Sequence, residues 1–188
     1  MKMSLATKTA QSALFARAIA CTAFVAMHAH AFAQVNEYEV KAAFLFNFAL
    51  FTQPLAAPPA TPVDPVAPYR MCILGKDPFG SAAKSLSTRK IVGRPIVVKP
   101  VGANDDLKQC QLIFMPEAER DSARRTAAAV NGLPIITVGE FRDFPAGGTV
   151  FNLMVIDDKV AFQVNTQAAR TQQLEVSAKL TRLATSVR

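Results

Sequence analysis

The chain has 188 residues, 51% of them hydrophobic, with 21 Lys and Arg against 14 Asp and Glu. Both histidines, His28 and His30, fall in an N-terminal stretch that reads as a removable export signal, so the exported chain would have none. That excludes Ser-His-Asp or Cys-His nucleophile systems and ordinary zinc sites, because each needs an imidazole.

The signal reading rests on three parts in the expected order: Lys2, Lys8 and Arg17, then an apolar run from Ala18 to Met27, then Ala31-Phe32-Ala33. Such a run is too short to span a bilayer and ends in a small-residue cleavage site, predicting removal after Ala33 and delivery to the periplasm. A lipid anchor on Cys21 is the weaker alternative, since Ala18-Ile19-Ala20 is a poor lead-in. The signal holds three basic residues and no acid, which leaves 18 basic against 14 acidic side chains in a single domain from residue 34 to 188. This excess reads as spread along the chain, with only Arg89-Lys90 and Arg124-Arg125 adjacent, and predicts no nucleic-acid stripe.

The first predicted element is a helix over Glu37 to Phe51, EYEVKAAFLFNFALF. Alternation of Phe44, Phe46, Phe48 and Leu50 would also suit a strand, but fifteen residues without Gly or Pro are too long for one. On a helix, Phe44, Phe48 and Phe51 form one ridge, while Phe46 and Leu50 lie on an opposed side. One face cannot bury both, so the helix is expected to be covered on two sides, within the monomer or by a dimer mate or partner. Residues 54–68 carry six prolines and predict a stiff connector.

Strands are then predicted at Tyr69 to Leu74, Arg94 to Val101, Gln111 to Met115 and Pro134 to Val138, with helices near Phe79 to Ser87 and from Glu117 to Asn131. This alternation argues for a parallel sheet. Thr149 to Ile156 and Val160 to Asn165 are separated only by Asp157-Asp158-Lys159, a link that permits an antiparallel hairpin alone. Gln167 to Val187 reads as helical, broken at most near Leu174, with Val176, Leu180, Leu183 and Val187 on a face docked on the sheet. The expected architecture is a three-layer α/β sandwich with a mixed, mostly parallel sheet, a C-terminal antiparallel hairpin and helices on both faces.

No residue set is predicted to be catalytic, to bind a cofactor or to hold a metal. Gly75 to Gly80 lacks a phosphate-loop pattern and Pro78 removes a backbone donor. Asp105-Asp106 and Asp157-Asp158 are read as solvated turns, and Glu117, Glu119 and Asp121 as a helix start favoured by the macrodipole. Cys72 and Cys110 remain after export as an even pair, which predicts a structural disulfide, with two buried thiols as the alternative.

Several motifs in fixed order resemble the YfiR family of periplasmic repressors: EYEVKAAFLFNF at 37–48, CILGKDPF at 72–79, VGRPIVV at 92–98, CQLIF at 110–114, ITVGEF at 136–141, GGTVFNL at 147–153 and VAFQVNTQAAR at 160–170. The resemblance implies a regulator without chemistry that holds down a membrane-bound diguanylate cyclase through its periplasmic sensor portion. It also implies release by an outer-membrane lipoprotein, an α/β sandwich, homodimers, and a disulfide at Cys72 and Cys110. Two departures stand out: Thr52-Gln53-Pro54 replaces a Trp-Pro, and Pro145 and Asn152 replace the second cysteine pair of some members, so redox control through a second disulfide is not available. Phe44, Phe46, Phe48, Leu50 and Phe51 are the candidate partner or dimer surface, with Arg170 as an anchor for an acidic group. The alternative function is a periplasmic small-ligand binding module with its pocket at the strand ends.

Overall fold

The structure, a computed structural model, describes residues 37–55, 67–142 and 148–188. The expected export signal, most of the proline-rich connector and residues 143–147 lie outside the described residues. Helix α1 occupies residues 37–50, and Phe51 N–H closes its last turn on Asn47 O at 2.9 Å. Ala42, Ala43, Leu45 and Ala49 supply helix propensity there.

After α1 come β1 (Thr52–Pro54), β2 (Tyr69–Leu74), α2 (Ser81–Ser87), β3 (Lys90–Ile91), β4 (Arg94–Val101), β5 (Leu112–Met115), α3 (Arg120–Ala129) and β6 (Ile136–Gly139). The chain ends with β7 (Phe151–Ile156), β8 (Lys159–Val164), α4 (Thr166–Thr171), β9 (Leu174–Val176), α5 (Ala178–Leu183) and β10 (Ser186–Val187). The main sheet has eight strands in the order β10-β8-β7-β6-β5-β2-β4-β3. β4, β2, β5, β6 and β7 run parallel, β8 returns antiparallel to β7, and β3 and β10 close the edges. The mixed, largely parallel sheet and its hairpin are as the alternation of elements predicted.

Period two in the central strands sorts side chains into two cores. Met71, Ile73, Leu112 and Phe114 point to the face covered by α1, α2, α4 and α5, whereas Cys72, Leu74, Ile113 and Met115 point to the face covered by α3. Three layers result, with β2, β5 and β6 buried on both sides save for Arg70.

The C-terminal segment is corrected by the structure. Residues 166–187 form two short helices and two short strands: the break allowed near Leu174 is present, at Gln173 with a left-handed φ of 55°, but Leu174–Val176 then form a strand antiparallel to Thr52–Pro54 instead of resuming a helix. Leu180 is buried, but Leu183 is 66% exposed and Val187 47%, so the expected docked face does not form. Residues 54–55 are likewise not connector: Pro54 ends β1, whose single partner leaves no ladder bond for a proline to break.

Candidate functional site

Helix α1 lies across the aromatic face of the sheet. The Phe48 ring is fully buried and stacks on Phe151, centroids 4.0 Å apart and planes 1° from parallel, and it meets Phe162 edge-on at 5.1 Å. Phe44 contacts Phe48 at 5.9 Å and Phe162 at 5.4 Å. The ridge of Phe44, Phe48 and Phe51 is therefore the inward one. Phe46 is half-buried at the flank, beneath the Arg89 guanidinium at 4.8 Å, and Phe51 is capped by Lys179 at the same distance. Leu50 and Val40 are exposed, and with Ala43 and Asn47 they make an outward strip whose charged member is Glu39. The structure thus separates Leu50 from the phenylalanines it was grouped with, and it adds Val40, which its sequence position did not mark.

Lys41 is also buried, at 5% exposure, a surprising place for an ammonium in an aromatic helix. Its Nζ donates to Glu140 Oε2 at 2.6 Å, Tyr38 OH donates to Glu140 Oε1 at 3.4 Å, and the Glu117 N–H donates to the same oxygen at 3.3 Å. Glu140 follows β6, so this cluster clamps α1 to the carboxyl end of the parallel sheet. Next to it, Arg120 donates to both Glu117 oxygens at 2.8 and 3.0 Å, and the Arg142 N–H adds a third bond at 3.2 Å. The bonds from Arg120 hold the Glu117 carboxyl below the ordinary range, against a small opposing push from burial.

In the strand order β4-β2-β5-β6-β7, β2 lies between the strands that follow it in opposite directions, and the crevice beyond β2 and β5 is where open α/β sheets commonly bind ligands. Here two of the chain's own side chains press against the strand ends. Gly75 ends β2 at φ 74°, and any Cβ there would collide with the Glu119 carboxylate. A Cβ on Gly139 would meet the Phe141 ring, whose backbone is held on both sides by Asn152 at 2.8 and 2.9 Å.

Arg170 sits exposed on α4 and lines a groove of about 220 Å³ with Leu55, Ala169, Leu174 and Val176 among its walls. β1 pairs with β9 and Ser177 N–H reaches Phe51 O at 3.0 Å, so the C-terminal end of α1 and this groove adjoin one small sheet. Cys72 and Cys110 are bonded with Cα atoms 5.9 Å apart, joining β2 to the residue before β5. The acidic pairs do turn chemistry: Asp105 accepts from Gly102 N–H and Asp106 from Lys108 N–H, while Asp157 and Asp158 form a turn. Among the described residues no three His, Cys, Asp or Glu converge as metal ligands, and no helix is long and apolar enough to cross a membrane.

No curated protein matches the chain. Residues 38–185 match the sequence profile of the family described as YfiR/HmsC-like, which spans α1 through the last helix and takes in the clamp, the disulfide and the Arg170 groove. With most of its length matched by that one profile, the chain belongs to the YfiR/HmsC-like family.

Proposed function

We propose that this chain is an exported, non-catalytic regulator of diguanylate cyclase signalling that acts by binding protein in the periplasm. Its signal would be cleaved after Ala33, and its target would be the periplasmic sensor portion of an inner-membrane diguanylate cyclase, held in a low-activity state so that cyclic di-GMP and biofilm formation fall. The observation that carries the reading is membership of the YfiR/HmsC-like family over residues 38–185. The close approach of Glu119 to Gly75 and of Phe141 to Gly139, with Glu140 engaged by Lys41, supports it by narrowing the strand ends where a substrate would usually lie. The outward strip of α1, with Val40, Ala43, Asn47 and Leu50 and with half-buried Phe46 at its flank, is the surface offered to a partner or to the second subunit of a homodimer. An outer-membrane lipoprotein that competes for the protein would relieve the block. Deleting the gene is expected to raise cellular cyclic di-GMP, and the tagged protein is expected to recover a membrane cyclase. Unchanged nucleotide with no cyclase recovered would end this reading.

A small-ligand module is the second reading, and the groove beside Arg170 is the observation that favours it, because it sets an exposed guanidinium and the Glu175 carboxylate beside Leu55, Leu174 and Val176, a lining that suits an apolar ligand with a polar end. A thermal-shift screen of such ligands with the purified protein separates the two: stabilisation lost in Arg170→Ala would support a ligand.

A further inference from the structure

The positive charge is not spread through the fold as its sequence suggested. Residues 78–104 contain Lys84, Arg89, Lys90, Arg94 and Lys99 and no acid. The rest of the chain after Ala33 holds 13 basic and 14 acidic residues, so the whole excess belongs to α2, β3 and β4. Arg94 is committed, donating to Ala67 O and Pro68 O at 2.8 Å each. Lys84, Arg89, Lys90 and Lys99 are exposed, and Arg89 joins this corner to α1 through the Phe46 ring.

At the tip of this corner stands Val92, 87% exposed, the most exposed of the large hydrophobic side chains among the described residues. Pairing of Ile91 with Arg94 makes Val92-Gly93 a two-residue hairpin loop, with φ of 47° and 80°. Gly accepts that conformation freely, whereas a β-branched residue is strained there, and Asn or Asp would be the ordinary choice. A side chain that is both strained and left in water serves neither the fold nor solubility. Such outliers concentrate where a chain meets a ligand or partner.

The open edge beside the tip does not invite strand addition. Gly75 N–H bonds Val101 O on the β2 side and Ile96 N–H bonds Arg89 O on the outer side, so by alternation Pro100 faces outward with no N–H to give. Pro100 interrupts the outward row of donors on this edge, which favours recognition through side chains.

We propose that the β3–β4 hairpin and its basic surround form a docking surface for an acidic protein segment, with Val92 entering an apolar pocket of the partner and Arg89 and Lys90 pairing with carboxylates around it. The proposal rests on the protein-binding reading above and names the partner's chemistry. Charge complementarity selects the occupant: exposed Arg89 and Lys90 beside the tip, with Lys84 on α2, draw an acidic surface, whereas Lys99 lies toward the far end of β4 beside Asp105 and Asp106, and a single protruding aliphatic fits a pocket, being too small an anchor to hold a bilayer.

The test uses the purified mature protein and the purified periplasmic sensor portion of the cyclase, titrated at two salt concentrations. Val92→Asn places a residue suited to the turn, so its thermal midpoint should equal or exceed that of the parent while its affinity falls tenfold or more. Lys90→Glu should lose a similar factor and flatten the salt dependence, whereas Arg125→Glu, an equal charge change on α3, should leave affinity unaltered. Unchanged affinity in Val92→Asn and Lys90→Glu would overturn the docking surface and leave the regulator reading intact. Should the parent itself not bind the sensor portion, the regulator reading fails, and a photoreactive residue at position 92 decides the surface in living cells. A protein crosslink abolished by Lys90→Glu keeps the surface with a different acidic partner, and no such crosslink removes it. Binding of the parent to phosphatidylglycerol vesicles lost in Val92→Asn, or self-association that depends on Val92, would replace the acidic protein with a lipid surface or a second copy and overturn the assignment.

Discussion

On the face covered by α1 the rings pack in two groups, Phe48 stacked on Phe151 with Phe162 edge-on to both, and Phe79 edge-on to Phe114. On the opposite face the buried side chains are smaller, with Phe141 as the aromatic among Cys72, Leu74, Val101, Ile113, Met115, Ala123 and Val130, and a covalent bond ties the strands together. The first face gains stability from apolar area and ring geometry between residues far apart in sequence, while the second substitutes a constraint on the unfolded chain for part of that area. Detaching this helix would expose the buried Phe48 ring and its contacts with Phe151 and Phe162. The inward side of α1 is thereby fixed as core, and its outward strip stays free to meet another protein.

The largest expected effect breaks the aromatic face directly. Phe48→Ala should cost about 3–5 kcal/mol of unfolding free energy, as for a fully buried ring. Leu50→Ala, two residues on and 37% exposed, should change stability by no more than about 0.5 kcal/mol. Urea denaturation of the two variants measures the contrast. Equal losses would show that α1 is core on both sides and would withdraw it as a partner surface.

A buried ion pair holds the same helix, and removing one partner leaves the other charge stranded. Lys41→Ala is expected to destabilise by roughly 3–5 kcal/mol, and adding Glu140→Gln should recover part of that loss because the unpaired carboxylate is gone. The double variant's unfolding midpoint checks this. If Glu140→Gln brought no recovery, Lys41 would act through other contacts, such as its ammonium over the Tyr38 ring at 4.6 Å, rather than through its pair with Glu140.

For the other face the corresponding change is Cys72→Ser, with an expected loss of about 2–5 kcal/mol for a bond whose ends are 38 residues apart. Titration of the denatured, unreduced protein should find no free thiol. Two free thiols would remove the covalent half of the comparison altogether.

These contrasts also show which features the sequence displays. β2 and β4 were legible residue for residue, since Gly75, Pro95 and Gly102 mark their surroundings and their apolar runs have strand length. The Cys72–Cys110 bond was legible because only two cysteines remain after export. Helix α1 was legible by length, but its inward side was not, as periodicity gives two ridges and says nothing of Phe151 and Phe162, which choose between them. Lys41 gave no sign of burial because its partner is 99 positions away. At the C-terminus the break near Leu174 was legible, but the strand after it was not: Leu174–Val176 pair with Thr52–Pro54, a long-range contact that overrides local propensity. Val92 was quoted within a motif, yet only its φ and exposure single it out.

The smallest expected effect concerns the two ion pairs at the sheet's carboxyl end. Glu117 lies in front of α3 with its side chain 41% exposed, in contrast to the enclosed Glu140. Its carboxyl is held below the ordinary range by Arg120, so the folded state binds that proton less readily than the unfolded chain does. The stability it contributes is present above the unfolded-state value and is lost as pH falls through the lowered folded-state value. Glu117→Gln should accordingly leave an acid-unfolding curve slightly shallower than that of the parent, with the two converging once the parent's Glu117 carboxyl is protonated. Solvent reaches this pair, so salt should shrink the difference. A gap between the curves that persisted at low pH, or that ignored salt, would mean that Glu117 acts through its bond to the Arg142 backbone and not through its charge.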